Sequence, residues 1–242
     1  MNKLYVVGIG PGAEEQMTFR AMHAMRDADV IVGYGVYNDL VRPIFPDKEY
    51  LQTPMRREVD RCRMAIDKAM EGKTVAMISS GDAGVYGMAG LILELSDGMD
   101  LTVEVVPGVT AALSGGAVLG APLTHDFCVI SLSDLLTPWE KIEKRLAAAG
   151  EADFCIALYN PSSHRRADYL QRACDILLRS RPGDTVCGVV RNIGREGEEA
   201  TVMPLSRLRD WKADMFSTVF IGNSQTRVVG GKMVTPRGYR DV

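Results

Sequence analysis

The sequence has no C-x-x-C pair, no excess of positive charge and no apolar run near the roughly 18 residues that a membrane span requires. Its five cysteines, Cys62, Cys128, Cys155, Cys174 and Cys187, stand far apart, and none joins a cysteine–histidine cluster at metal-ligand spacing. An odd, scattered set in 242 residues fits reduced structural thiols in a cytoplasm better than a disulfide framework, and no metal site is expected. Lys and Arg number 28 against 31 Asp and Glu, a net charge of −3. That balance excludes a generally basic nucleic-acid surface but leaves room for a local basic pocket. Histidines number three. G-x-S-x-G, H-E-x-x-H and G-x-x-x-x-G-K-[ST] are all absent, so serine hydrolase, zinc protease and P-loop chemistry have no support. Residues 1–12 lack a charged n-region and a long apolar h-region, so a signal peptide is not expected.

What is present is ordinary globular composition, 46% apolar and 24% charged, with 24 glycines and 13 methionines suited to tight turns and an adaptable core. Leu4 to Val7 reads as a buried strand running into Gly8-Ile9-Gly10-Pro11-Gly12. Met17, Ala21, Ala24 and Met25 lie at helical spacing within Glu14 to Arg26, and Val30 to Gly33 reads as a second strand, completing a βαβ unit. Glu58 to Met70 predicts an amphipathic helix with Val59, Cys62, Ile66 and Met70 on its apolar stripe and Gly72 closing it. Strands at Thr74 to Ile78 and Leu101 to Val106, with helices at Val85 to Leu95 and from about Val109, continue the alternation. The pattern predicts an α/β fold whose first sheet is mostly parallel, with helices on both faces. A Gly- and Ala-rich stretch ending at Pro122 reads as a boundary: an N-terminal domain over 1–115, a linker over 116–121 and a C-terminal domain over 122–242. Beyond it come strands at Phe127 to Leu132, Phe154 to Leu158, Thr185 to Val190, Ala200 to Met203 and Thr218 to Ile221. With helices at Trp139 to Ala149 and Arg165 to Arg179, these predict a mixed sheet containing hairpins.

Three glycine-rich turns, Gly8 to Gly12, Gly81 to Gly87 and Pro107 to Thr110, each follow a predicted strand. Ligands of open α/β sheets bind beyond the carboxyl ends of strands. Three such turns point to one shared ligand, although each alone serves equally well for tight packing. The first turn is G-x-G-x-G with an internal proline, not the G-x-G-x-x-G that cradles a pyrophosphate, which disfavours a nucleotide-dependent dehydrogenase. Asp82 is the best-placed carboxylate, as N-cap of the following helix, as a ligand contact and catalytic group, or as both. His125, three residues after Pro122, is either a brace for the chain or a general acid–base, given an imidazole reference pKa of about 6.5.

Val6-Val7-Gly8-Ile9-Gly10-Pro11-Gly12, Ser80-Gly81-Asp82 and Val106-Pro107-Gly108-Val109-Thr110-Ala111 resemble the successive motifs of the tetrapyrrole methylase family. Those enzymes use S-adenosyl-L-methionine to methylate the macrocycle on the route to cobalamin and sirohaem. The segments Ile78 to Gly90, His125 to Trp139, Leu158 to Pro161, Ile221 to Ser224 and Thr235 to Tyr239 resemble one subgroup, the methyltransferases acting at C-17 of precorrin-3B or cobalt-factor III. The resemblance implies two α/β domains with a cofactor cleft between them, a homodimer, and C-17 methylation coupled to ring contraction. It carries cofactor contact onto Pro11, Gly81, Asp82, Ala83, Tyr86, Thr110, Ala111, Asn160 and Ile193. Many relatives have Gly-Asp-Pro where this chain has Gly81-Asp82-Ala83, and the subgroup commonly carries alanine there. The cysteine-bearing extension with which some relatives hold an iron–sulfur centre is not expected after Tyr239.

Methyl transfer of this kind accounts for the shortage of acid–base residues. A sulfonium methyl is already electrophilic and needs an electron-rich carbon held in line at about 3–3.5 Å. A polycarboxylate substrate calls for arginines, and Arg165, Arg166, Arg191 and Arg195 are the candidates, either for bidentate pairing or as solvated surface charge. Methylation at another ring position and a non-catalytic tetrapyrrole carrier are the alternative readings.

Overall fold

The computed structural model describes residues 2–54, 56–163 and 166–239. The chain divides into two compact units between Ala111 and Ala112. In the first, β1 (Lys3–Gly8), a 3-10 turn (Glu14–Gln16), α1 (Phe19–Asp27), β2 (Val30–Tyr34), α2 (Gly35–Val41), β3 (Glu49–Thr53), α3 (Glu58–Met70), β4 (Thr74–Ser79), α4 (Ala89–Leu95) and β5 (Thr102–Val106) follow in order. The five strands pair in parallel in the order β3-β2-β4-β1-β5. The near-continuous apolar runs of β1, β2 and β4 follow from burial on both faces. Tyr5, Val7, Ile31, Ala76 and Ile78 pack with Ala21, Ala24, Met25 and Val41 on one side. Leu4, Val6, Val30, Val32, Val75 and Met77 pack with Cys62, Ala65, Ile66 and Ile92 on the other. Because the strands are parallel, Gly8, Tyr34, Thr53, Ser79 and Val106 end them along one edge of the sheet.

Several details differ from the sequence reading. The first helix is split: residues 14–16 form a 3-10 turn, and α1 starts afresh where Thr18 Oγ1 accepts the Ala21 N–H. Helix α3 has its predicted bounds, but its buried stripe is Arg61, Cys62, Ala65, Ile66 and Ala69, while Val59 and Met70 are exposed. Small alanines let this face lie close to the sheet, which outweighs the larger apolar residues. Helix α2 and strand β3 had no counterpart; β3 is an edge strand in which only Thr53 is buried, so it lacks the apolar run of its neighbours. Helix α4 begins later than predicted because Tyr86, at φ 54°, turns the chain out of the helical path.

The second unit opens within α5 (Ala111–Leu119), followed by β6 (Gly120–Ala121), β7 (Phe127–Ser131), α6 (Trp139–Glu151), β8 (Cys155–Tyr159) and α7 (Tyr169–Leu177). Then come β9 (Val186–Arg191), β10 (Glu199–Pro204), α8 (Leu205–Leu208), β11 (Ser217–Ile221), β12 (Arg227–Val229) and β13 (Lys232–Val234). A mixed five-stranded sheet runs β10-β9-β11-β8-β7, and a small one runs β12-β13-β6. Strand β7 is parallel to β8, and β11 is antiparallel to both β8 and β9, so β7, β8 and β9 share one direction. Helices α6, α7 and α8 cover one face through Ile142, Leu146, Leu170, Leu177, Leu205 and Leu208. Helix α5 packs at Gly115, where a Cβ would stand 2.8 Å from Ile193 Cδ1 and 3.0 Å from Phe220 Cζ. The Gly- and Ala-rich composition thus serves a close helix–sheet contact, and the expected linker 116–121 holds the end of α5 and β6. Helix α7 starts at Tyr169, so Arg166 precedes the helix it was expected to open; Arg165 lies outside the described residues. Among the described residues, no helix is long and apolar enough to cross a membrane.

Arg181 anchors this unit from inside. It is buried, donates from Nη1 to Gly222 O and from Nη2 to Ala149 O (3.2 Å) and Phe154 O (2.6 Å), and lies 3.7 Å from Asp153 Oδ1. Burial pushes its pKa down, and Asp153 opposes that shift. Asp153 in turn accepts from the Ser224 N–H (2.9 Å) and hydroxyl (2.6 Å). Arg181→Met is expected to strand three carbonyls and lower the unfolding free energy by about 3 kcal/mol or more in urea titration. The same change at exposed Arg207 should stay within about 0.5 kcal/mol.

Candidate active site

At the carboxyl edge of the first sheet, the turns after β1, β4 and β5 interlock. Gly10 and Gly81 exchange backbone hydrogen bonds (3.0 and 2.7 Å), and Ile9 N–H donates to Ser79 O (2.9 Å). A Cβ on Gly8 would stand 2.7 Å from both Gly108 N and Gly81 O, and one on Gly108 would overlap the carbonyl oxygens of Gly81 and Gly8. Asp82 ties the turns together: Oδ1 accepts the Gly84 N–H (2.8 Å) and Oδ2 accepts the Gly108 N–H (3.0 Å). It is therefore not the N-cap of α4, which starts only at Ala89. Gly81 itself, at φ 70°, has room: the nearest atoms to a Cβ would be Thr110 Cα at 3.6 Å and Ala111 N at 3.7 Å. The obstacle to a side chain there is the left-handed backbone angle.

The structure thus brings Gly81, Asp82, Thr110 and Ala111 together. Pro11 and Gly81 are buried, Tyr86 is exposed, and Ala83 has no accessible surface, its methyl packing into the core beneath α3 and α4. In the second unit, Asn160 (φ 53°) follows β8 and donates from Nδ2 to Ser131 Oγ at the end of β7 (2.9 Å). Ile193 follows β9 and is buried against the α5 contact. The Tyr159 hydroxyl accepts the Ala112 N–H (2.6 Å). Gly8, Gly108, Ser131 and Tyr159 were not singled out for these contacts; a lone sequence does not distinguish a glycine that packs from one that meets a ligand.

The expected arginines are partly committed. Arg191 Nε lies 2.7 Å from Asp214 Oδ2. Burial pushes the Asp214 carboxyl up, but hydrogen bonds from Ser217, Arg191 and Phe216 hold it below its ordinary range. Arg166 donates from Nε to Ser163 Oγ (3.1 Å) and lies 4.0 Å from Asp134 Oδ1, while its Nη1 is buried without a hydrogen-bond partner. Arg195 is half-buried, its N–H donating to Asn192 O (2.9 Å). His125 Nδ1 accepts the Asp126 N–H (2.9 Å) and lies 3.7 Å from Asp126 Oδ2. All five cysteines are free thiols. Burial pushes Cys62 and Cys128 up to about 11 and Cys174 up to about 12, which suppresses thiolate chemistry. Among the described residues, no group of three or more His, Cys, Asp or Glu is placed to hold a metal ion.

Interlocked backbone turns at the carboxyl edge of a parallel sheet, followed by a mixed α/β unit, define a class. The chain belongs to the tetrapyrrole (corrin/porphyrin) methylases, whose family model matches residues 3–209. It is 51% identical over 238 residues to a probable cobalt-factor III C(17)-methyltransferase of Salmonella typhimurium, covering 98% of this chain and 99% of that one. It is 42% identical over 246 residues to a precorrin-3B C(17)-methyltransferase of a Sinorhizobium species, covering 98% and 96%. The crystal structure of the methyltransferase CobJ matches with a TM-score of 0.90 at 36% identity, covering 98% of this chain and 100% of that one.

The family uses S-adenosylmethionine, and the turn geometry sets what each glycine tolerates. Gly108→Ala is expected to drive the turns apart and weaken S-adenosylmethionine binding at least tenfold by calorimetry, about 1.4 kcal/mol. Gly81→Ala, with space for its methyl, should lose chiefly about 1 kcal/mol of stability to backbone strain. Equal affinities for Gly108→Ala and wild type would show that the interlock does not shape the binding surface.

Proposed function

We infer that the protein is an S-adenosylmethionine-dependent C-methyltransferase of cobalamin biosynthesis, acting at C-17 of a precorrin-3B or cobalt-factor III type tetrapyrrole. The observation that carries the reading is the interlock of the three turns through Gly8, Gly81, Gly108 and Asp82, in a chain of the tetrapyrrole methylase family. The residues suit the methyl donor: the bare backbone of Gly81 faces Thr110 and Ala111, whose nearest atoms would lie 3.6 and 3.7 Å from a Cβ. When bound, S-adenosylmethionine supplies a methyl on a sulfonium whose thioether leaves neutral.

In the first unit, Pro11, Gly81, Asp82, Thr110 and Ala111 hold the donor, with Tyr86 at the exposed rim and Ala83 acting through its packing. In the second, Asn160 and Ile193 contribute. Asp82 positions rather than moves protons, since both oxygens already accept backbone N–H groups. Arg166 and Arg195 are the substrate arginines of the second unit, together with Arg165; Arg191 must first leave Asp214. His125 is the acid–base group: with Nδ1 occupied, its exchangeable proton sits at Nε2. Ring contraction accompanies the transfer, and the protein works as a homodimer in the cytoplasm.

The decisive experiment incubates the protein anaerobically with methyl-labelled S-adenosylmethionine and either precorrin-3B or cobalt-factor III. Label at C-17 is expected, and the substrate that accepts it reveals the metal requirement; label at another carbon, or none, overturns the reading. In the same assay His125→Ala should lower turnover about 100-fold with S-adenosylmethionine affinity unchanged. Preserved turnover with a lower melting temperature would make His125 a brace. Light scattering at micromolar concentration should give twice the 26.5 kDa chain mass, and a single-chain mass would exclude the homodimer.

A further inference from the structure

The edge that carries the three interlocked turns also carries the ends of β2 and β3, because all five strands are parallel. Just beyond β3 stand two arginines, Arg56 and Arg57, both exposed. Arg56 sits at φ 66°, in the left-handed region that a non-glycine residue rarely occupies. Strain of this kind gathers at ligand clamps and switch regions. No carboxylate among the described residues pairs with Arg56, and Arg57 has only an exposed contact with Asp60 (3.2 Å). A third arginine lies behind Arg57. Arg61 is buried, donating from Nη1 to Thr53 Oγ1 (2.9 Å), whose own hydroxyl reaches Arg57 O (3.4 Å), with Glu58 Oε1 3.9 Å from Nη2. A buried guanidinium thereby ties Thr53, at the end of β3, to Arg57, which precedes α3.

Opposite Thr53, at the end of β2, Tyr34 meets Tyr37 edge-on at 5.5 Å. Strand β3 lies two strands from β4, about 10 Å at ordinary strand spacing, within reach of a macrocycle with acetate and propionate arms seated beside the turn after β4. The arginines of the second unit leave part of this need unmet, since Arg191 is held by Asp214.

We propose that Arg56 and Arg57 bind carboxylate side chains of the tetrapyrrole substrate, with Arg61 as the positioning residue that presents them. The proposal rests on the methyltransferase reading above. Its chemistry is that of guanidinium forks on carboxylates, with the tyrosine pair as neighbouring apolar surface.

The test compares wild type with Arg56→Gly, Arg56→Gln, Arg57→Gln and Arg61→Met. Cobalt-factor III binding is followed by absorbance titration, S-adenosylmethionine binding by calorimetry, and stability by thermal melting. Arg56→Gly should raise the melting temperature, because glycine accepts the positive φ, yet weaken cobalt-factor III binding at least tenfold. Arg56→Gln and Arg57→Gln should weaken it by a similar factor with S-adenosylmethionine affinity unchanged, and salt should weaken wild type more than either variant. In turnover, Arg61→Met should raise KM for the tetrapyrrole and leave kcat at saturation near wild type. Wild-type tetrapyrrole affinity in both Arg56 variants overturns the proposal and leaves the methyltransferase reading standing. A wild-type protein that binds S-adenosylmethionine but no tetrapyrrole overturns both.

Discussion

Three backbones, at Gly8, Gly81 and Gly108, touch without a side chain between them, and the rest of the first unit is arranged to make that contact possible. Strands β4, β1 and β5 are neighbours in the sheet, so their carboxyl ends emerge side by side. The in-register pairing of Gly8 with Ser79 and of Val7 with Val106 brings the turns to one level. Asp82 then closes the arrangement with two accepted N–H bonds, one within its own turn and one across to Gly108. A carboxylate oxygen is the stronger acceptor for such a bond, which suits an acid where an amide of the same shape would present a donor to a donor.

The second unit solves a similar problem with side chains. Its strands β7, β8 and β9 also run one way, so Ser131, Asn160 and Ile193 follow equivalent ends. Here the ends are tied by Asn160 donating to Ser131. Inside the unit, a single buried cation collects carbonyls from α6, from the turn before β8 and from the turn after β11. Removing it would leave acceptors that no water reaches easily, so the ordering of this unit rests on a polar group placed among apolar ones.

Legibility in the sequence followed burial. The strands β1, β2 and β4, buried on both faces, announced themselves as apolar runs, as did β5 although only its Val106 is buried, and the glycine turns after β1, β4 and β5 were visible at their ends. Strand β3, polar and at the edge, did not, and with it went the significance of Arg56 and Arg57. The helix from about Val109 was legible, but its end at residues 116–119 was read as linker because glycine and alanine signal flexibility in a sequence, whereas at Gly115 the missing side chain lets a helix rest on a sheet. The role of Asp82 was legible as to residue and not as to partner: Gly108 lies 26 positions away, a contact that only the sheet order creates. The arginines near β8 and β9 were read by charge alone, and charge says nothing about whether a carboxylate of the same chain already holds them.

The self-contained bonding of Asp82 has a consequence for turnover. Because its oxygens are satisfied by Gly84 and Gly108, the turns keep their shape with no donor present, and little ordering remains to be done on binding. On the function proposed above, a surface so preformed would grip the adenosine and the amino-acid ends whether or not a methyl is attached. S-adenosylhomocysteine, which differs only by that methyl and its positive charge, should therefore hold on nearly as well as the donor.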